Sequence, residues 1–265
     1  MLCLDAPLVA LGWALLLSPV PEESRMGEMA ALFLAVWIIY LGDRFFDSLR
    51  PDKDPSPPPS ERLAWARSHR KGLVGLLLFA LAAISAVAGS LLPDTVKYGG
   101  LLASATALYY ALFRNSRIRG RLLGIVPAKE LAIGIVFALG ATLAARGGEG
   151  LLADPGLLLS MVLLFAGNCL IISRTEALSD QARDGAAYYS GAFAWRHLPE
   201  LFFTIALVLS FRPDPLFRGL PELAVVASSA ANLVVSRIRR GNVPQALADA
   251  LLLAPWLFLL WHWGA

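Results

Sequence analysis

The chain has 265 residues, of which 57% are hydrophobic and only 16% are charged, and its mean hydropathy is +0.62. This balance excludes an ordinary soluble domain and indicates a protein that crosses the membrane several times. Its formal net charge is only +3, and no nucleic acid is expected as a partner.

The apolar segments begin almost at the N-terminus. The first has no basic n-region and no small-x-small cleavage pattern, so we interpret it as a retained helix and not as a signal peptide. A spanning helix needs about 20 mostly apolar residues. Cutting the chain at its Pro, Gly and charge clusters leaves nine such segments, which predict one all-α membrane domain over residues 1–265, a nine-transmembrane-helix bundle. The predicted helices cover residues 2–18, 27–46, 72–92, 96–113, 124–145, 156–175, 191–211, 219–236 and 244–263.

The predicted loops determine the orientation of this bundle. Residues 50–70 form a long, Pro-rich and charged loop, whereas residues 92–95 form a tight turn. Loops rich in Lys and Arg stay in the cytoplasm. If the loops after helices two, four, six and eight share the cytoplasmic side, the N-terminus is cytoplasmic and the C-terminus lies outside. Only five of the 23 basic residues then fall outside: Arg25, Lys97, Arg146, Arg212 and Arg218.

Two clusters of acidic residues lie at the predicted cytoplasmic ends of apolar helices. The first acidic cluster is Asp43 and Asp47, whose spacing of four places them on one helical face. The sixth apolar run leads into the second acidic cluster, Glu176, Asp180 and Asp184, which repeats that spacing. Two clusters on the same predicted side suggest a single site facing the cytoplasm.

Five converging carboxylates would repel one another unless cations lay between them. Mg²⁺ prefers oxygen ligands and is usually held by carboxylates together with substrate phosphates. The two acidic clusters therefore predict a site for Mg²⁺ and a diphosphate, with all five acids as metal ligands. An alternative stays open, in which the acids are solvated charges paired with Arg44, Arg174 and Arg183.

These residues resemble the UbiA superfamily of membrane prenyltransferases, whose members have nine helices and two Asp-rich motifs. Asp43 and Asp47 match the two aspartates of the family's first motif, N-x-x-x-D-x-x-x-D, at the cytoplasmic end of helix two. Asp180 and Asp184 match the D-x-x-x-D motif at the end of helix six. The resemblance covers nearly the whole chain. It implies that the four aspartates are catalytic and that Mg²⁺ promotes departure of the diphosphate of a prenyl donor.

The resemblance extends to the segment between the two motifs. Tyr110 and Arg114 look like the family's Tyr-x-x-x-Lys/Arg after helix four, and Lys129 looks like the lysine of its Pro-x-x-Lys entering helix five. By this resemblance Tyr110 lies beside the substrate, and the two basic side chains anchor the diphosphate by charge-assisted hydrogen bonds. Their other interpretation is that they obey the positive-inside rule.

Positions 39 and 40 depart from the family pattern. Residue 39, where the family has Asn, is Ile, and the next residue, often Asp, is Tyr40. Ile39 shares the face of Asp43, so we expect an apolar chamber beside the diphosphate. Asn168 lies in the apolar part of helix six on a similar face to Glu176. It is predicted either to line the chamber or to bond a neighbouring helix.

Three functions are compatible with this pattern. The first is transfer of a prenyl group from its diphosphate to an aromatic or other lipid-pathway acceptor. The second is a terpene cyclase, in which the substrate's own double bond attacks the cation. The third is a small transporter or a non-catalytic membrane protein, since acids inside membranes also mark ion pathways. The expected surroundings are membrane lipid, and the sequence specifies neither the acceptor nor the oligomeric state.

Overall fold

The computed structural model describes residues 4–18, 25–49, 61–114, 128–179, 197–210, 219–238 and 243–264. All regular structure within these ranges is helical and none is strand, which confirms the predicted all-α class. The helices are α1 (Asp5–Leu17), α2 (Met26–Ser48), α3 (Glu61–Ser68), α4 (Arg70–Ala88), α5 (Pro93–Arg114), α6 (Ala128–Arg146), α7 (Pro155–Ser179), α8 (Leu198–Ser210), α9 (Leu220–Val235), α10 (Val243–Leu251) and α11 (Ala254–Gly264).

Membrane association follows from the length and composition of these helices. Among the described helices, three contain segments long and apolar enough to cross a bilayer, namely Met26–Phe46, Arg70–Ala88 and Pro155–Ile172. The α4 segment buries little of its surface in the protein, and Leu78 and Phe79 are more than 60% exposed. Such an apolar face is stable against lipid but not against water. The total of nine spanning helices stays a prediction.

Helix α7 lies at the centre of the bundle. Helices α6 and α8 pack along its length, and α9 and α10 also contact it. At the core the buried ring of Trp13 meets Phe165 edge to face, with ring centroids 5.6 Å apart. Phe137 of α6 packs on the same ring at 4.7 Å. These contacts join α1, α6 and α7 into one core.

Small residues allow the central helices to approach closely. A Cβ atom added at Gly134 would lie 2.6 Å from the carbonyl oxygen of Val162 and 3.1 Å from the Cβ of Ala166. A Cβ atom added at Gly167 would lie 2.8 Å from the ring of Phe203. Glycine at these positions therefore sets the spacing of α6 and α8 from α7, as expected for membrane bundles.

The predicted last helix, residues 244–263, is helical over most of its length but is interrupted at residues 252–253, between α10 and α11. The cause is Pro255, which has no N–H to donate and whose ring would clash with the carbonyl of Leu251 in a continuous helix. That carbonyl instead accepts a hydrogen bond from the Ser228 hydroxyl at 3.4 Å. The carbonyl of Leu252 accepts one from the Trp13 indole at 3.1 Å. Side chains of α9 and α1 thus bond to the backbone groups that the break releases.

Trp13→Phe should destabilise the protein, because the Leu252 carbonyl would lose the indole donor. A buried carbonyl without a donor costs about 1–3 kcal/mol, in addition to the lost packing. Trp256→Phe is the matched control, since its indole donates at 3.0 Å to Leu8, a carbonyl inside α1 that has a helical partner. Thermal unfolding in detergent should show the larger loss for Trp13→Phe; equal losses would contradict this interpretation of the break.

The predicted loop over residues 50–70 is also wrong in its second half, where α3 forms. After Pro59 the chain has no proline before residue 93, and it continues with residues of good helix propensity. Ala66 of α3 is buried with Leu41 of α2 and Leu73 of α4. This small cluster holds α3 against the end of α2 that carries the first acidic cluster.

Candidate functional site

Helices α2 and α7, which lead into the two acidic clusters, run in the same direction. Arg25 immediately precedes α2, and its Nη1 donates a 2.7 Å hydrogen bond to the carbonyl of Ala145 at the end of α6. From there the chain passes through residues 147–154 into α7, so both helices begin at one end of the bundle. Further along them, Tyr40 and Cys169 lie within electrostatic range of each other. The helix ends that carry the acidic clusters therefore face the same side.

Of the five predicted metal ligands, the structure describes the side chain of Asp43. It is partly buried one turn before the end of α2. Asp47 and Glu176 belong to α2 and α7, but their side chains lie outside the described part, and so do Asp180 and Asp184 altogether. Among the side chains that are described, no three His, Cys, Asp or Glu residues could together hold a metal ion. The complete ligand set stays a prediction.

Tyr110 joins α5 to α2 one turn before Asp43. Its hydroxyl donates a 3.1 Å hydrogen bond to the backbone carbonyl of Ile39, and its ring lies 6.4 Å from that of Phe46. The Ile39 carbonyl is thereby bonded from outside its own helix. Arg114 follows one turn later in α5. Its side chain, like that of Lys129 at the start of α6, lies outside the described residues.

Tyr40 lies in the neighbourhood of acidic residues from three helices. The carboxylates of Asp5, Asp43 and Asp249 are all within long-range electrostatic distance of its phenol. Tyr109 of α5 is similarly within range of Asp43 and of Glu130. The C-terminal half of α2 therefore has polar or acidic residues of other helices in its neighbourhood. They come from α1, α5, α6 and α10.

Asn168 contacts a residue that sequence reasoning missed. Its amide nitrogen lies 3.5 Å from Oδ1 of Asp249, a carboxylate of α10. Asn168 itself is only 3% exposed, and among the described residues no donor lies within hydrogen-bonding distance of its Oδ1. The available signal was an acid inside a segment predicted to span the membrane, since such residues usually face the bundle interior. We define Asn168 and Asp249 as the inner polar pair.

An open cationic hollow lies between the last turns of α2 and the start of α4. It has a volume of about 430 Å³ and is lined by Phe45, Arg70, Lys71 and Val74. Phe45 stands between Asp43 and the end of α2, and the Arg70 guanidinium lies 5.7 Å from the centre of its ring. In the sequence, Arg70 and Lys71 indicated only the orientation of the bundle. In the structure their positive charges lie beside Phe45, which the helical period places on the opposite side of α2 from Asp43 and Asp47.

Comparisons of the chain with family models, with curated proteins and with solved structures found no match. The function therefore has to follow from this chain's own residues. Its described site combines a carboxylate at a helix end, adjacent cations, and a polar pair deeper in an apolar bundle. Carboxylates favour a hard metal ion, and cations favour a phosphate group. The apolar interior favours a lipid-soluble substrate.

Proposed function

We propose that the chain is a membrane prenyltransferase similar to the UbiA superfamily, a bundle of nine spanning helices in one domain. It ionises a prenyl diphosphate with Mg²⁺ and transfers the prenyl group to an aromatic or other lipid-pathway acceptor. One observation carries the proposal. The D-x-x-x-D spacing occurs at the end of α2 and again in the sequence directly after α7, and these two apolar helices run in the same direction.

The five acids of the two clusters are the proposed ligands of Mg²⁺. Their oxygens match the preference of this hard cation, and the common direction of α2 and α7 supports a shared site. When bound there, Mg²⁺ would offset the negative charge of the diphosphate as it leaves. The ligands are Asp43, Asp47, Glu176, Asp180 and Asp184.

Basic side chains hold the diphosphate on the cytoplasmic side of these acids. Arg114 and Lys129 are proposed to supply two charges there, and Arg70 and Lys71 at the start of α4 add positive charge near the same end of α2. The bond between the allylic carbon and the diphosphate oxygen breaks, and its electron pair leaves with the diphosphate. The acceptor then bonds to that carbon and loses a proton.

The allylic cation must be protected from water until the acceptor reaches it. The apolar side chain of Ile39 lies on α2 one turn before Asp43 and contributes to a dry chamber. Tyr40 provides an aromatic face that can stabilise a nearby cation. The same apolar surface supports a second candidate, a terpene cyclase, because Ile39 offers an acceptor substrate no side-chain hydrogen bond.

The proposed orientation places the N-terminus and the active site in the cytoplasm. With Cys3 and Cys169 replaced by Ala, single cysteines at Ser56 and Ser190 should react with a membrane-impermeant maleimide from the cytoplasmic side only. A cysteine at Lys97, in the predicted outer region, is the control and should react from the opposite side. Labelling of positions 56 and 190 from opposite faces would exclude a shared site.

Product analysis tests the reaction itself. The purified full chain in detergent is given Mg²⁺ and prenyl diphosphates of several lengths, with and without a panel of phenolic and other lipid acceptors. Prenylated acceptor, identified by mass spectrometry, is the expected product. A cyclic hydrocarbon formed without acceptor would establish the cyclase instead. Absence of diphosphate release with every donor would refute both.

A further inference from the structure

We propose that the inner polar pair binds the hydroxyl group of the acceptor substrate, with Asn168 as the contacting residue and Asp249 as the residue that positions it. The proposal rests on the proposed function and specifies its acceptor as a hydroxyl-bearing lipid, such as a phenol. It places the acceptor at a site that neither acidic cluster forms.

Asn168 is incompletely bonded although it is buried. Its amide nitrogen has a partner in Asp249, at a distance of 3.5 Å that is long for a hydrogen bond. Its amide oxygen is enclosed, and the part of the chain that the structure describes offers it no donor. A buried acceptor left without a donor costs about 1–3 kcal/mol. Asn232 also has a buried, unbonded amide oxygen, but its nitrogen bonds within its own helix, whereas the nitrogen of Asn168 reaches a carboxylate of another helix.

The orientation of the Asn168 amide determines which kind of partner it lacks. An asparagine amide has donors on its nitrogen and acceptor sites on its oxygen. Because the nitrogen is directed to the Asp249 carboxylate, the oxygen is left as the unbonded acceptor. The missing partner is therefore a donor, such as a ligand hydroxyl. Asp249 acts by holding the amide in this orientation.

The position of Asn168 along α7 places it deep in the bundle. It lies eight residues before Glu176, which at 1.5 Å per residue is about 12 Å deeper in the helix. Asp249 comes from α10, a short helix that Pro255 separates from α11. The inner polar pair is thus below the proposed diphosphate site and within the apolar bundle. An acceptor bonded here would approach the prenyl group from the membrane side.

Binding of a long-chain 4-alkylphenol is compared with that of its methyl ether, by calorimetry on the full chain in detergent. The two ligands differ in that only the phenol has a donor hydrogen. The wild-type protein should bind the phenol at least about tenfold more tightly, which corresponds to one good hydrogen bond. Equal affinity of the wild-type protein for phenol and ether would overturn the proposal without any variant.

Asn168→Leu should abolish this preference, whereas Asn232→Leu should keep it. Asn232 is the matched control because it is fully buried and also has an unbonded amide oxygen, while its nitrogen donates to the Ser228 carbonyl of its own helix. Asp249→Asn retains an acceptor for the Asn168 amide and should preserve the preference, and Asp249→Leu should reduce it. A preference that survives in Asn168→Leu, or is lost equally in Asn232→Leu, contradicts the proposal.

In the transfer reaction Asn168→Leu should raise KM for the acceptor about tenfold and leave KM for the prenyl diphosphate unchanged. Equal rises in both constants would indicate a structural effect and count against the site. The two proposals can fail independently. If the wild-type protein releases no diphosphate but still prefers the phenol, and Asn168→Leu loses that preference, the proposed reaction is wrong and the binding site stands.

Discussion

Asp43→Asn should lower the rate of Mg²⁺-dependent diphosphate release at least about 100-fold, and Asp180→Asn should have a similar effect. Removing one charge from a metal and diphosphate site weakens stabilisation of the leaving group, for which single groups are commonly worth about 100-fold or more. Ligands that act as a unit give strongly non-additive losses. The double variant should therefore be little slower than either single variant. The measurement is the initial rate of diphosphate release from a prenyl diphosphate.

The matched control for this prediction is Asp94→Asn. Asp94 is an exposed carboxylate in the first turn of α5, in the predicted outer region. Its replacement should change the rate by less than about twofold and leave thermal unfolding nearly unchanged. Near-normal activity of both Asp43→Asn and Asp180→Asn would identify the acidic clusters as ordinary surface charges.

Gly134→Val has the largest expected effect on stability. The added Cβ would overlap the Val162 carbonyl and crowd the backbone and Cβ of Ala166, none of which is a flexible side-chain end. Overpacking of a tight helix contact costs on the order of 3 kcal/mol. By the usual size scaling this lowers Tm by roughly 6–12 °C. Thermal unfolding in detergent measures the shift.

Gly75→Ala is the corresponding control on an open helix surface. A Cβ at Gly75 of α4 would meet no atom within 4 Å. Alanine also has a better helix propensity than glycine, by about 1 kcal/mol. We expect an unchanged or slightly higher Tm. A smaller loss for Gly134→Val than for Gly75→Ala would show that α6 and α7 are not closely packed at Gly134.

The sequence predicted the features that depend on local pattern. The apolar runs that become α2 and α7 are long enough to be recognised, and the spacing of Asp43 and Asp47 follows from the helical period alone. The break at Pro255 had a local signal, which was outweighed by the apolar residues on both sides. What could not be foreseen is that Ser228 and Trp13 would bond to the carbonyls next to the break, because those partners come from distant helices.

The inner polar pair is a second feature that depends on contacts between distant helices. A polar residue in an apolar helix, such as Asn168, is predicted to have a partner. The sequence does not distinguish a ligand from a neighbouring helix as that partner. Asp249 lies 81 residues further along the chain. Only the packing of α10 against α7 brings the two together. The cationic hollow likewise depends on the contact of Arg70 with Phe45. The positive-inside rule predicts the side of the membrane for Arg70 but not this contact.

The most direct test of the shared site is the binding of inorganic diphosphate, measured by calorimetry on the purified full chain with and without Mg²⁺. We expect binding that requires Mg²⁺ and that is lost in Asp43→Asn and equally in Asp180→Asn, since the two residues belong to different clusters but to one site. Asp94→Asn should bind as the wild-type protein does. Binding that is independent of Mg²⁺, or that survives in either cluster variant, would contradict a shared metal and diphosphate site.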